Sequence, residues 1–184
     1  MLKKRGRRTL SLILTLVMIF SVQILPAWAN GSTEIASISG GEMISSNGIY
    51  KIADGASGVI TIGQGVTDVT LQGNGVSWDG STLEAEPFTD LQIDCTAAQG
   101  ISLTLQDVYL KNTSSSDQKP AVDFAGSGNK MLLSGTNMIE KEGSGQGNYA
   151  GIHVSQGTEL TVSGEGTLYF YKASGAAGLG GNKG

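Results

Sequence analysis

The stretch that decides the fold runs from residue 121 to residue 168. Residues 121–124 read AVDF, residues 130–135 read KMLLSG and residues 137–139 read NMI. The same blocks return in order, spacing and polarity as GIHV at 151–154, ELTVSG at 159–164 and GTL at 166–168. A repeat of about 30 residues is typical of proteins built from stacked coils, because each repeat then covers only its neighbours.

Outside this stretch the chain alternates between apolar and polar residues, as strands do. In residues 66–73, Val69 and Leu71 face one way while Thr70 and Gln72 face the other. Glycine-rich breaks such as 126–129 separate the short runs. The pattern predicts an all-β, right-handed parallel β-helix of about five coils, each of roughly 30 residues and three strands. A β-sandwich is the alternative, and it would use Asn74-Gly75 as a hairpin turn.

The N-terminal residues have the layout of an export signal. Five basic residues lie within positions 3–8, an apolar run covers 10–25, and Ala27-Trp28-Ala29 supplies small residues at a cleavage site. We therefore expect a cleaved signal peptide at 1–29. Residues 30–47 are polar and rich in Gly and Ser, which predicts a flexible linker or an N-terminal cap. The β-helix domain is expected at 48–184 and to be incomplete at its C-terminus, because residues 176–181 resemble the start of another coil.

The charge of the chain limits its expected partners, and its cysteine content limits its disulfides. The whole chain has 12 basic and 16 acidic residues. Loss of the signal would leave seven lysines, no arginine and a formal net charge of −9. Such a surface disfavours nucleic acid and anionic membranes, so neither is an expected partner of the cleaved chain. Cys95 is alone, so no intrachain disulfide forms, and its spacing from Leu91 and Ile93 predicts a buried thiol.

Three polar residues recur at one position of the repeat. Asp94, Asp123 and His153 each lie between apolar neighbours, and each follows the one before it by a single repeat. They are expected to face outwards in one column, where they could hold a cation such as calcium or share a proton. The alternative is a polar column that only keeps the strand face soluble.

Aromatic residues provide a second candidate site. By parity Tyr169 and Tyr171 face outwards, as does Tyr109 between Val108 and Leu110. Exposed tyrosines stack against the apolar faces of sugar rings, although cross-strand stacking is the ordinary alternative. Trp78 lies in a long corner and is expected either to stack on a ligand or to act as a lid.

The blocks GIHV, ELTVSG and GTL, with AAGLGG at 176–181, resemble repeats of secreted bacterial right-handed β-helix proteins of pectate-lyase-like fold. The resemblance covers residues 48–184 and implies a secreted or cell-surface bacterial protein that meets polysaccharide or cell-wall glycan. Lyases of this fold use an acidic column to bind calcium together with a basic residue. The cleaved chain has no arginine and no lysine on that column, which disfavours an enzyme.

The sequence therefore predicts carbohydrate binding through outward strand faces. The ligand-binding candidates are Tyr169, Tyr171, Tyr109, Asp123, His153 and Asp94. One alternative is a structural or adhesive surface stalk without a small ligand, and another is a polysaccharide lyase or glycoside hydrolase. No cofactor is predicted, calcium is kept as an open possibility, and the oligomeric state is left open.

Overall fold

A computed structural model describes residues 35–113, 119–141, 150–171 and 177–181. The expected signal peptide and residues 30–34 lie outside these ranges. The described residues form an all-β structure without helices, and therefore contain no helix long and apolar enough to cross a membrane. Their strands are β1 (Ala36–Ile38), β2 (Met43–Ile44), β3 (Gly48–Ile52), β4 (Gly58–Ile62), β5 (Asp68–Gln72), β6 (Ser77–Trp78), β7 (Leu83–Glu84), β8 (Phe88–Thr89), β9 (Leu91–Asp94), β10 (Ser102–Gln106), β11 (Tyr109–Asn112), β12 (Val122–Phe124), β13 (Asn129–Ser134), β14 (Thr136–Lys141), β15 (Ile152–Val154), β16 (Leu160–Gly164), β17 (Thr167–Tyr171) and β18 (Leu179–Gly180).

Three parallel sheets contain all of these strands except β6 and β7. The first sheet has the order β1-β3-β5-β10-β13-β16, the second β8-β11-β14-β17, and the third β2-β4-β9-β12-β15-β18. β6 and β7 form a separate antiparallel pair. Apart from β6 and β7, consecutive strands fall in different sheets, so the β-hairpin meander of a sandwich is absent from the described part. Asn74-Gly75 joins no paired strands there.

The repeat read from the sequence is visible in the register of the third sheet. Val122 lies beside Ile93 on one side and Ile152 on the other, and Asp123 lies between Asp94 and His153. These pairings confirm the predicted alignment of Asp94, Asp123 and His153. From β9 to β17 the chain supplies one strand to each sheet in turn, three times over.

Two parts of the predicted register are wrong. The sequence blocks align Met131 with Leu160 and Ile139 with Leu168. In the structure Met131 lies beside Val162 and Ile139 beside Phe170, two residues further on in each case. Because a shift of two residues preserves the period of a strand, the inward and outward faces are unchanged. The uniform spacing also fails at the N-terminal end of the described part, where Ala36 pairs with Tyr50 after much less than one repeat and the second sheet has no strand before β8.

The core is made of apolar columns that run from strand to strand. In the first sheet Val69, Leu103 and Met131 are in register and fully buried. Each such side chain stabilises the fold by roughly 1.5–3 kcal/mol relative to exposure. Cys95 belongs to this core, as predicted. Its burial raises the pKa of the thiol, and the nearby negative charges of Asp94 and Asp123 raise it further.

Buried asparagines satisfy the backbone where the chain turns between sheets. Asn137 Oδ1 accepts a hydrogen bond from the Val108 N–H at 3.0 Å, and Asn137 Nδ2 donates to the Ser134 carbonyl at 3.0 Å. Asn129 makes the equivalent contacts one corner earlier, with the Ile101 N–H and the Ala125 carbonyl. Both asparagines are 1% exposed. These side chains replace backbone partners that the corners remove.

Candidate functional site

The candidate site begins with the β6–β7 hairpin, which leaves the repeat between β5 and β8. Ser77 pairs with Glu84 and Trp78 pairs with Leu83 across the hairpin. Its turn is held by Asp79, whose Oδ1 accepts hydrogen bonds from the N–H groups of Thr82 and Ser81 at 2.6 and 2.8 Å. These bonds lower the pKa of the Asp79 carboxyl, because they favour its charged form.

The hairpin brings Trp78 onto the outer face of the second sheet. The Trp78 ring centroid lies 6.3 Å from that of Tyr169 and 6.0 Å from that of Tyr171, with interplanar angles of 60° and 54°. The two tyrosines are 37% and 39% exposed, as the sequence predicted, whereas Trp78 is half-buried. We call these three residues the aromatic cluster. It presents two accessible ring faces beside a third, tilted ring.

The third predicted tyrosine is not on the surface. Tyr109 is 4% exposed, so the prediction of an outward, accessible ring is wrong in its second part. Tyr109 lies in the outward column of Met138 and Tyr169, as its parity predicts. The outer face of the second sheet is, however, shielded from solvent at Tyr109 and Met138. The Tyr109 hydroxyl donates to Glu140 Oε2. Tyr109 is therefore a buried residue two rungs from Tyr169, and it is not part of the accessible surface.

An ion pair lies in the neighbouring outward column. Lys111 Nζ is 3.8 Å from Glu140 Oε1, and Glu140 pairs in register with Tyr171. Glu140 is only 3% exposed. A carboxylate held this deeply needs its partners, here a lysine and a phenol, to offset the loss of water. These contacts join β11 to β14, the strand that pairs with β17 at Tyr171.

The polar column lies on the third sheet, in strands β9, β12 and β15. His153 Nδ1 and Asp123 Oδ1 are 2.7 Å apart, with side-chain exposures of 17% and 22%. Asp94 is the next rung, but its Oδ1 accepts from the N–H and hydroxyl of Thr96 at 2.9 and 2.6 Å. The structure thus brings Asp123 and His153 into direct contact and turns Asp94 towards its own chain.

No group of three or more His, Cys, Asp or Glu side chains within the described ranges is arranged to hold a metal ion. The calcium hypothesis for Asp94, Asp123 and His153 stays a prediction without a structural argument behind it. Among these residues the contact that is made is a histidine–carboxylate pair, which is charged on both sides only when His153 is protonated.

A polar groove of about 940 Å³ lies on the other side of the hairpin. It is bounded by Ser77 and Glu84 from the hairpin and by Phe88 below it. Asp54 and Asn74 contribute carboxylate and amide groups, joined by a hydrogen bond of 2.9 Å. The groove is shallow and open to solvent, and its polar groups suit hydroxyl-rich ligands.

Sequence reasoning missed how the site is assembled. The sequence does not connect Trp78 with Tyr169 and Tyr171, because the hairpin contact joins residues that are far apart in the chain. Lys111 and Glu140 are not among the predicted site residues. Their outward parity beside Tyr109 and Tyr171 was the available signal.

Comparison with known proteins gave no match among protein-family models, curated proteins or solved structures.

Proposed function

We propose that this chain is a secreted, right-handed parallel β-helix domain that binds carbohydrate through the aromatic cluster. The carrying observation is the convergence of Trp78, Tyr169 and Tyr171 on one sheet face, with both tyrosines more than one-third exposed. Aromatic rings in this setting offer apolar faces to the C–H surfaces of sugars. The resemblance of residues 48–184 to secreted bacterial β-helix repeats supports the same class of ligand.

The coil arrangement is supported by the strand order. Successive strands β9, β10 and β11 enter three different sheets, and the next three return beside them in parallel. Connections between parallel strands of one sheet are right-handed in about 98% of cases, which favours a right-handed coil. Export is supported by the basic, apolar and small-residue segments of residues 1–29.

A neutral glycan is the favoured ligand. After loss of the signal the chain would carry a formal net charge of −9, which repels acidic polymers. The groove on the other side of the hairpin adds an amide and carboxylates, such as those of Asn74 and Glu84, which can donate to or accept from sugar hydroxyls.

A glycan array with neutral, amino and acidic polymers tests the proposal. The double variant Tyr169→Ala/Tyr171→Ala removes both accessible rings, each expected to contribute about 1 kcal/mol. Retention of a neutral glycan should then fall by about tenfold to thirtyfold. Phe170→Leu is the matched control, because Phe170 lies on the same strand but faces the opposite side, in the column of Ile139.

The proposal fails if the folded wild type retains no glycan, a result that would favour the adhesive stalk. It also fails if the double variant binds as well as the wild type. Release of unsaturated product from pectin-like polymers with calcium would instead support the lyase alternative.

A further inference from the structure

The rings of the aromatic cluster do not lie in one plane. The Trp78 ring is inclined by 60° to the Tyr169 ring and by 54° to the Tyr171 ring. Its centroid is almost equally far from the two tyrosine centroids, at 6.3 and 6.0 Å, so Trp78 contacts both rings alike. The cluster is therefore an angled set of rings and not a flat platform.

The direction of the tyrosines is set by strand β17. Alternate residues of a parallel strand are about 6.6 Å apart and project from the same face of the sheet. Tyr169 is in register with Met138, and Tyr171 with Glu140, in the outward columns of the second sheet. This direction follows from the pairing of β17 with β14 and does not depend on what lies beyond β17. The two rings thus follow each other along the strand.

Trp78 belongs to an element that stands out from the sheet. The β6–β7 hairpin leaves the repeat between β5 and β8, and the residues of its turn, 79–82, are all exposed. Hydrogen bonds from the N–H groups of Ser81 and Thr82 to Asp79 Oδ1 hold this turn. A flat surface placed on the two tyrosines would therefore meet the hairpin that carries Trp78.

The angles between the rings limit the physical form of a bound glycan. A sugar stacks its C–H face on an aromatic face, so each ring orients the sugar unit that lies against it. In a crystalline polymer the exposed units share one plane, which suits coplanar rings. Rings inclined by more than 50° need sugar units that are rotated relative to each other. A single chain in solution can rotate about its glycosidic bonds, whereas a chain packed in a crystal cannot.

We infer, on the basis of the carbohydrate binding proposed above, that the aromatic cluster binds a single soluble glycan chain and not the face of a crystalline polymer. Consecutive sugar units lie on Tyr169 and Tyr171, and a rotated unit lies against Trp78. Because the tyrosines are about 6.6 Å apart along the strand, one sugar ring contacts one tyrosine at a time. Affinity should therefore rise with chain length, since linked units bind the second ring at a high effective concentration.

Soluble and crystalline forms of the same polymers test this inference. The soluble probes are the β-1,4-linked glucose and mannose series, from monosaccharide to hexasaccharide, measured by isothermal titration calorimetry. The solid probes are crystalline cellulose and crystalline mannan, measured by pull-down. The full chain, purified after export, should bind at least one hexasaccharide about tenfold or more tightly than the corresponding monosaccharide. Neither solid should retain it.

Three single variants should each weaken hexasaccharide binding by about fivefold, because each loses one stacking contact: Tyr169→Ala, Tyr171→Ala and Trp78→Ala. Trp78→Phe keeps an aromatic ring on the hairpin and should retain most of the affinity. Thr161→Ala is the matched control, because Thr161 is exposed on β16, in the same rung as β17 but in another sheet. Its affinity should equal that of the wild type.

Retention on a crystalline solid that the Tyr169→Ala/Tyr171→Ala double variant abolishes would overturn the single-chain form, while binding of carbohydrate by the cluster would stand. Equal affinity for monosaccharide and hexasaccharide would overturn it in the same way. A wild type that binds neither hexasaccharide also overturns it, and the glycan array then decides separately whether the cluster binds carbohydrate at all.

Discussion

Gly73 follows β5 at a point where two rungs of the structure come very close. A Cβ at this position would lie 2.0 Å from the Asp107 carbonyl oxygen and 2.7 Å from the Val108 Cα. Both are backbone atoms of the next rung, so the clash cannot be relieved by a side-chain rotation. Gly73→Ala should therefore separate the rungs and lower the free energy of unfolding by about 3 kcal/mol.

The matched control is Gly75→Ala, two residues away. Gly75 has φ of +93° but nothing within 4 Å of its Cβ position, so that substitution costs only backbone strain of about 1–2 kcal/mol. Urea denaturation followed by circular dichroism compares the two midpoints. An equal loss in both variants would contradict the close-approach argument.

The buried thiol of Cys95 should make the fold less stable at alkaline pH. Its thiol is fully buried, and burial raises the pKa above the ordinary value of 9.0. Above pH 9 the unfolded chain loses a proton that the folded chain keeps. The contribution of this thiol is thus complete below pH 9 and decreases by up to about 1.4 kcal/mol per pH unit above it.

The measurement is urea unfolding at pH 8 and pH 10, with Cys95→Ala as the control. Between these pH values the free energy of unfolding should fall less in Cys95→Ala than in the wild type. The lysines and tyrosines titrate equally in both chains, so the difference reports the thiol. The same slope in both chains would show that the thiol does not contribute. In the native wild type, thiol reagents should react only on unfolding.

At the scale of elements, the β6–β7 hairpin is fixed by its turn and by Trp78. If the signal is cleaved after Ala29, Trp78 is the single tryptophan of the chain, and its fluorescence reports on the hairpin alone. Asp79→Ala removes the acceptor for the Thr82 and Ser81 N–H groups. We expect a red-shifted emission and stronger acrylamide quenching as Trp78 leaves Tyr169 and Tyr171.

The β6–β7 hairpin should also lose stability at low pH. Because hydrogen bonds from Thr82 and Ser81 lower the pKa of Asp79, the turn should be intact above the ordinary value of 3.8 and weaken only below it. Asp68→Ala is the control, since Asp68 is exposed at the start of β5, away from the hairpin. An unchanged emission spectrum in Asp79→Ala would contradict the assigned role of the turn.

Strand positions and faces could be predicted from the sequence because they depend on a period of two, which local residues carry. Ile93, Val122 and Ile152 show this in the third sheet. The register between strands and the burial of outward side chains were harder to predict. Val162 rather than Leu160 meets Met131 because the connection between β13 and β16 sets the offset. Tyr109 is buried because its outer face is covered, a tertiary contact that parity cannot contain.

At the scale of the whole molecule, the stability of the described part should fall towards the rung formed by β16 and β17. β10 and β11 have a strand on each side, whereas β16 and β17 have one among the described strands. In stacked-repeat structures each rung depends on its neighbours, so the last rung opens with the smallest free energy. Hydrogen exchange in dilute protein should be about tenfold or more faster in β16 and β17 than in β10 and β11.

This gradient is measured by hydrogen–deuterium exchange with peptide mass analysis. Equal protection of β16 and β10 in the most dilute sample would contradict the predicted gradient.

The chain between β5 and β10 shows how this scaffold accommodates added sequence. Leu103 lies beside both Val69 and Met131, and the two ladders are in full register although more chain separates Leu103 from Val69 than from Met131. The surplus residues, including the hairpin, are held outside the ladders. A peptide of different length or composition grafted between Asn74 and Pro87 should therefore leave the scaffold intact, so ligand preference can diverge at this corner independently of folding.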